Sequence, residues 1–294
     1  MLIARLLAET ATLAATLDNA RDELAANGWP VAMAEPVCSG MEAIELLLPE
    51  GDPVGVRAVL DRHFRPSDVL VSNQLIALPR VFVSDMDSTM IAAECIDELA
   101  DFAGLKPQIA AITERAMQGE LDFASALAER VALLAGLPEG AIGECLATRI
   151  APMPGAKALV ETLKALGCRT VLVTGGFHQF ADPVAEQLGF ERVVANTLEI
   201  SGGKLTGGLV GGITDSAVKR TVLLEEAALL GKNTVSLAMG DGANDIPMLE
   251  AATYGLAFRA KPKARDAADG WIDRGDLTAV LELLGVRRSD WVWE

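Results

Sequence analysis

The sequence predicts an α/β protein: a parallel sheet with a helical cap inserted after its first strand, preceded by a small α+β module at residues 1–78. Three observations lead there. From Arg80 onward, short β-branched runs alternate with helical stretches, the signature of a parallel sheet with crossover helices. Between the first two runs lies an insert, about residues 94–150, too long for a simple crossover. Two of the runs end in clustered carboxylates.

Taken in order, residues 3–26 carry Leu and Ala at helical spacing and stop at Asn27-Gly28, which predicts a first helix. The opening Met1-Leu-Ile-Ala-Arg-Leu-Leu has the outline of a signal peptide, but Glu9 interrupts it and the pattern reads on as an amphipathic helix. A strand-like run at 43–48, a helix near 53–63 and the strand Asp68-Val-Leu-Val-Ser complete the first module near residue 78. The main domain, residues 79–294, has strands at Val81-Phe-Val, Arg169-Thr-Val-Leu-Val, Val193-Val-Ala, Val235-Ser-Leu-Ala-Met and Tyr254-Gly-Leu-Ala-Phe. The insert at 94–150 spaces its Ala, Leu and Ile by three and four, so it is helical. An insert after the first strand sits above the carboxyl ends of the strands, where open α/β folds bind ligands, and is read as a cap. The glycine-rich stretch from Ser201 to Gly212 lacks the spacing of a nucleotide-binding P-loop and reads as a flexible hairpin or flap.

Composition bounds the function. Of 294 residues, 51% are hydrophobic and 22% charged, which suits a globular protein with a large core and excludes a disordered or fibrous one. The longest stretch without a charged side chain, Thr170 to Ala181, is too short to span a membrane. A formal charge of −16 argues against binding nucleic acid or an anionic membrane, because both need a field of Lys and Arg. The same charge repels phosphorylated small molecules, so any phosphate chemistry must rely on a bound cation and a few local basic groups. Cys38, Cys95, Cys145 and Cys168 show no metal or redox spacing and read as small buried hydrophobes in a reducing cytoplasm. Self-association into a homodimer is left open.

The chemistry concentrates at strand ends. Val81-Phe-Val-Ser-Asp-Met-Asp-Ser-Thr-Met ends an apolar strand in Asp85 and Asp87, which can form a hard-cation site or a nucleophile paired with an acid. Ser236-Leu-Ala-Met-Gly-Asp-Gly-Ala-Asn-Asp-Ile-Pro repeats the plan with Asp241, Asn244 and Asp245, more negative charge than a dry site holds without a cation. Together the two segments specify a magnesium site. Thr174 and the amides of Gly175-Gly176 end a third strand in donors suited to phosphate oxygens, and Lys219 opens the helix after the glycine-rich stretch. His178 has no second His or Cys at ligand spacing, which argues against zinc.

These motifs, Asp85-Met-Asp-Ser-Thr, Thr174-Gly-Gly, Lys219 and Gly240-Asp-Gly-Ala-Asn-Asp, resemble in their order those of the haloacid dehalogenase superfamily. The segment Met117-Gln-Gly-Glu-Leu-Asp-Phe-Ala-Ser-Ala-Leu-Ala-Glu-Arg-Val-Ala-Leu-Leu resembles the cap of the members that hydrolyse phosphoserine. The resemblance covers about residues 80–285; the first 78 resemble only loosely the variable, sometimes ACT-like, N-terminal regions of bacterial members. It implies a Rossmann-like phosphoric monoester hydrolase, the last step of serine biosynthesis, with Asp85 as nucleophile and Asp87 as general acid and base. It implies magnesium on Asp85, Asp241 and the backbone carbonyl of Asp87, supported by Asp245. It further implies phosphate contacts from Thr174, Gly175, Lys219 and Asn244, and recognition of the amino acid by Glu94 and Arg130 with Met117 and Phe123 closing the site. A phosphatase or phosphotransferase acting on another small phosphate ester is the alternative, because the strand-end motifs alone would serve any of them.

Overall fold

The computed structural model describes residues 1–9, 13–117 and 120–293, the side chain of Met117 excepted. The chain opens with β1 (Leu2–Leu7), α1 (Leu13–Ala26), β2 (Met33–Pro36), β3 (Ile44–Leu48), α2 (Pro53–Phe64) and β4 (Asp68–Ser72). The helix expected over 3–26 is thus corrected at its start: Leu2–Leu7 is a strand, antiparallel to β3 on one side and β4 on the other. All six of its side chains are buried. A strand covered on both faces needs no polar alternation, so its apolar run carries no period that separates it from a helix. Its one charge, Arg5, is neutralised by the Glu45 carboxylate at 2.8 Å and donates to the Leu283 carbonyl at 2.9 Å.

The second half begins with β5 (Val81–Ser84). Four helices follow and make up the cap: α3 (Cys95–Phe102), α4 (Lys106–Met117), α5 (Phe123–Leu133) and α6 (Gly140–Arg149). The chain returns through α7 (Ala156–Ala165), β6 (Arg169–Phe177), α8 (His178–Leu188), β7 (Arg192–Ser201), β8 (Lys204–Val210) and α9 (Ser216–Leu230). It ends with β9 (Ser236–Gly240), α10 (Ile246–Ala251), β10 (Tyr254–Phe258), α11 (Pro262–Ala267), β11 (Gly270–Ile272) and α12 (Ala279–Leu284). The five runs expected as strands of the main domain are β5, β6, β7, β9 and β10.

The described strands form one sheet in the order β2-β3-β1-β4-β11-β10-β9-β5-β6-β7-β8. From β11 to β7 every neighbouring pair is parallel. The outer pairings are antiparallel, including β4 with β11, which runs the sheet continuously from the N-terminal segment into the main domain. Two devices secure that junction. The Asp68 carboxylate accepts the amides of Asp273 at 3.0 Å, Arg274 at 2.8 Å and Gly275 at 3.1 Å. Gly270 lets the strands approach, since a Cβ there would overlap the Val69 carbonyl.

Side chains alternate across the central strands, so Phe82, Leu172 and Met239 join one apolar cluster while Val83, Val171 and Ala238 join the other. The glycine-rich stretch forms the β7–β8 hairpin. It is no free flap: the Gly136 amide donates to the Leu205 carbonyl at 2.8 Å and the Leu205 amide to the Leu137 carbonyl at 2.9 Å, pinning β8 beneath the cap.

Candidate active site

Sheet order decides which strand ends meet. Because β9, β5 and β6 are adjacent and parallel, the residues just beyond their carboxyl ends converge, and β10 beside β9 brings in Lys261. A cleft of about 220 Å³ lies there under the cap, lined by Asp85, Asp87, Thr174, Gly175, Asp241 and Asn244 from the sheet side. The cap supplies Glu94, Phe123 and Arg130 to the same cleft. Lys219 and Asp245 lie fully buried beneath it. The Met117 side chain lies outside the described residues, so nothing is placed on it.

Asp85 is held from several directions. Its amide donates to the Met239 carbonyl at 2.9 Å, its Oδ1 accepts the Met86 amide at 2.8 Å, and its Oδ2 lies 2.8 Å from Lys219 Nζ. Lys219 also donates to Asp245 Oδ1 at 2.7 Å. Burial alone would lower the Lys219 pKa, but the two carboxylates outweigh it and hold the ammonium charged. The Asp245 carboxylate is engaged at both oxygens, Oδ2 accepting the amides of Asp241 at 3.2 Å and Gly242 at 3.1 Å. Gly240 is obligatory beside it, because a Cβ would overlap that carboxyl group.

The carboxyl groups of Asp85, Asp241 and Asp245 place one oxygen each within 4.8 Å of one another. Burial, Asp245 and Asp87 push Asp85 well above the usual carboxylate range, against the pull of Lys219. Burial first and Asp245 next raise Asp241 to about 6, although Lys261 pulls the other way. One buried ammonium, Lys219, and the exposed Lys261 at 3.8 Å from Asp241 do not balance three buried carboxylates, and an all-oxygen donor set is what a hard divalent cation takes. The cluster therefore fits a divalent metal. Adding one at a hundred times its Kd is expected to stabilise the fold by about 2.7 kcal/mol, seen by calorimetry as a raised Tm that a chelator reverses. A Tm indifferent to every divalent cation would refute the site.

Asp87 accepts the Cys95 amide at Oδ1, 3.0 Å, and lies 3.5 Å from the Thr174 hydroxyl through Oδ2. Burial, with Glu94 nearby, raises its pKa to about 7, where a carboxyl group can both give and take a proton. Glu94 accepts the Ser88 hydroxyl at 2.8 Å. Arg130 donates Nε to the Ala126 carbonyl at 3.3 Å, and burial lowers its pKa. Reading motifs alone missed Ser88 and Lys261, and overlooked the buried Asn196. A signal for Lys261 does exist in the chain: Arg259-Ala-Lys lies just beyond the carboxyl end of β10, and the carboxyl ends of parallel strands are where such sites form. Ser88 stands inside the first motif, but its partner Glu94 becomes its neighbour only through the turn in which Ser88 adopts φ of 55°.

Fold and site define a capped α/β hydrolase with a carboxylate centre at the strand ends. A family model for haloacid dehalogenase-like hydrolases matches residues 82–250, and the chain belongs to this family. Phosphoserine phosphatase of Albidiferax ferrireducens is 45% identical over 210 residues, covering 69% of this chain and 89% of that protein. Phosphoserine phosphatase SerB2 of Mycobacterium tuberculosis is 47% identical over 212 residues, 72% of this chain but only 52% of the relative. A solved family hydrolase from Salmonella enterica serovar Typhi superposes with a TM-score of 0.83 at 28% identity, covering 97% of this chain and 99% of that one. The structural likeness takes in 97% of the chain, more than the 69% and 72% of the two sequence matches. No described helix is long and apolar enough to cross a membrane.

Proposed function

We propose that the chain hydrolyses O-phospho-L-serine to L-serine and phosphate by way of an aspartyl phosphate on Asp85. One observation carries the choice of substrate: the part-buried Arg130 guanidinium lines the cleft and, among the described residues, has no carboxylate within ion-pair distance. A desolvated cation without a close ion-pair partner favours an incoming anion, and its planar fork suits a carboxylate. Glu94, in the same cleft, is the complementary group for an ammonium. Phosphoserine carries both charges beside its phosphate. The phosphoserine phosphatase relatives support the same reading.

In the first half-reaction an Asp85 carboxylate oxygen attacks phosphorus, the phosphorus–oxygen bond to serine breaks, and Asp87 gives its proton to the departing oxygen. Water then attacks the acyl phosphate, Asp87 takes the water proton, and Asp85 is released with phosphate. Lys219, the Thr174 hydroxyl, the Gly175 amide and Asn244 stabilise the phosphoryl oxygens. Asp85, Asp241 and the Asp87 carbonyl would hold magnesium, which when bound would neutralise charge on the phosphoryl group. Asp245, whose oxygens already serve Lys219 and two amides, positions these ligands rather than joining them. Three buried cysteines and the part-exposed Cys38, all unpaired, suit a cytoplasmic location.

Arg130→Ala tests the substrate. It should lower kcat/KM for phosphoserine about 30- to 1,000-fold, from the loss of about 2 to 4 kcal/mol for a charge-assisted bond and its stranded partner, and leave p-nitrophenyl phosphate nearly untouched. Equal losses on both substrates would make Arg130 a structural or phosphate-binding residue and remove the argument for phosphoserine.

A further inference from the structure

Asn196 sits on β7, is 1% exposed, and touches none of the reacting groups. It occupies the place where the β6–β7 ladder breaks. Val173 pairs with Val194 and Phe177 with Asn196, so four steps along β6 (173 to 177) oppose two along β7 (194 to 196). The excess of two residues falls within Thr174-Gly175-Gly176, which leaves the ladder and lines the cleft. A bulge loses ladder hydrogen bonds and needs another restraint to keep one conformation.

The Asn196 side chain supplies it. Its Nδ2 donates to the Gly175 carbonyl at 2.7 Å, and its Oδ1 accepts the Thr214 amide at 2.8 Å. Only one orientation of the amide makes both bonds, so the side chain is fully specified. Fixing the Gly175 carbonyl fixes the peptide plane that also carries the Gly176 N–H. That N–H donates to the Thr174 hydroxyl at 2.9 Å, and the hydroxyl faces Asp87 at 3.5 Å. At its other end, Thr214 precedes Asp215, which caps α9 by accepting the Val218 amide at 2.9 Å, and the first turns of α9 carry Lys219. One buried amide thus joins the two elements that reach toward Asp85 and Asp87 from β6 and from α9.

We propose that Asn196 is a positioning residue that sets the spacing between the Thr174–Gly176 bulge and the Lys219 helix, and so the shape of the phosphate pocket. The inference rests on the reading of Thr174 and Lys219 as phosphate contacts. Asn196→Ala should reduce kcat/KM by roughly 10- to 100-fold, the usual cost of losing a residue that orients reacting groups, equally for phosphoserine and p-nitrophenyl phosphate. It should raise the inhibition constant of inorganic phosphate in parallel. Asn196→Asp keeps the acceptor for Thr214 but sets a carboxylate against the Gly175 carbonyl; it should lose as much, and it decides the matter if the alanine variant does not fold. Leu198→Ala, at a buried site on the same strand, controls for simple destabilisation and should keep full activity per folded molecule and normal phosphate inhibition. Asn196 variants that match Leu198→Ala in both readouts overturn the proposal. Thr174→Val separates the two levels: if it too leaves phosphate inhibition unchanged, the phosphate-pocket reading itself fails, whereas if it weakens inhibition and the Asn196 variants do not, only the strut is lost.

Discussion

Asp85→Asn is expected to abolish turnover of every phosphate ester while leaving the fold intact. The amide has nearly the same shape and keeps an oxygen to accept the Met86 amide, which holds Asp85 Oδ1 at 2.8 Å. It lacks the anionic oxygen that must attack phosphorus, and no acyl phosphate can form on it. The change also removes one of three crowded buried carboxylates, so the repulsion that raises Asp85 is relieved and the cost of losing the Lys219 ion pair is partly offset. Circular dichroism should show a native fold, and phosphate release should fall to background. Substantial release from a variant free of wild-type contamination would remove Asp85 as nucleophile.

The second large effect concerns Asp87→Asn, which should slow phosphoserine hydrolysis by about 100- to 10,000-fold, the scale of general acid–base catalysis. Serine leaves as a poor alkoxide and needs the proton; p-nitrophenolate does not. With p-nitrophenyl phosphate the variant should therefore complete the first step and stall at the second, because the water that cleaves the acyl phosphate has lost its base. Stopped-flow absorbance should show a burst of about one p-nitrophenolate per active site before a slow phase. The placement of Asp87 makes this reasonable: burial and Glu94 bring it to about 7, and the Cys95 amide at 3.0 Å aims it into the cleft. An unaltered rate with phosphoserine would take Asp87 out of the acid role.

The strand-end motifs were legible because each combines an apolar run with residues that are costly anywhere but in a site. A run such as Val81-Phe-Val-Ser must be buried, and carboxylates immediately after it are then forced to the rim of the sheet. The same reasoning failed at Leu2–Leu7, where burial on both faces erased the alternation that marks a strand. It was silent on the junction at β4 and β11, because β11 is three residues long and its pairing with Val69 and Leu70 depends on a chain separation of some two hundred residues. Asn196 was invisible for a related reason. A polar residue within an apolar strand looks like an ordinary outward position until the bulge opposite supplies it with two backbone partners.

The sequence by itself determined the parallel α/β class with a helical cap after the first strand, and picked out the strand-end carboxylates and Thr174 as candidates, since local period, burial and charge density are all properties of short segments; Lys219 became a candidate only in the company of those motifs. Tertiary structure alone decided how these segments meet. Sheet order set β9 and β6 on either side of β5, and thereby brought Asp241 and Thr174 to Asp85; the fold put Lys219 between Asp85 and Asp245 and gave the whole group one low-dielectric cleft. Interaction energies between charges depend on separations of a few ångströms and on exclusion of water, and neither quantity exists until distant segments are packed together.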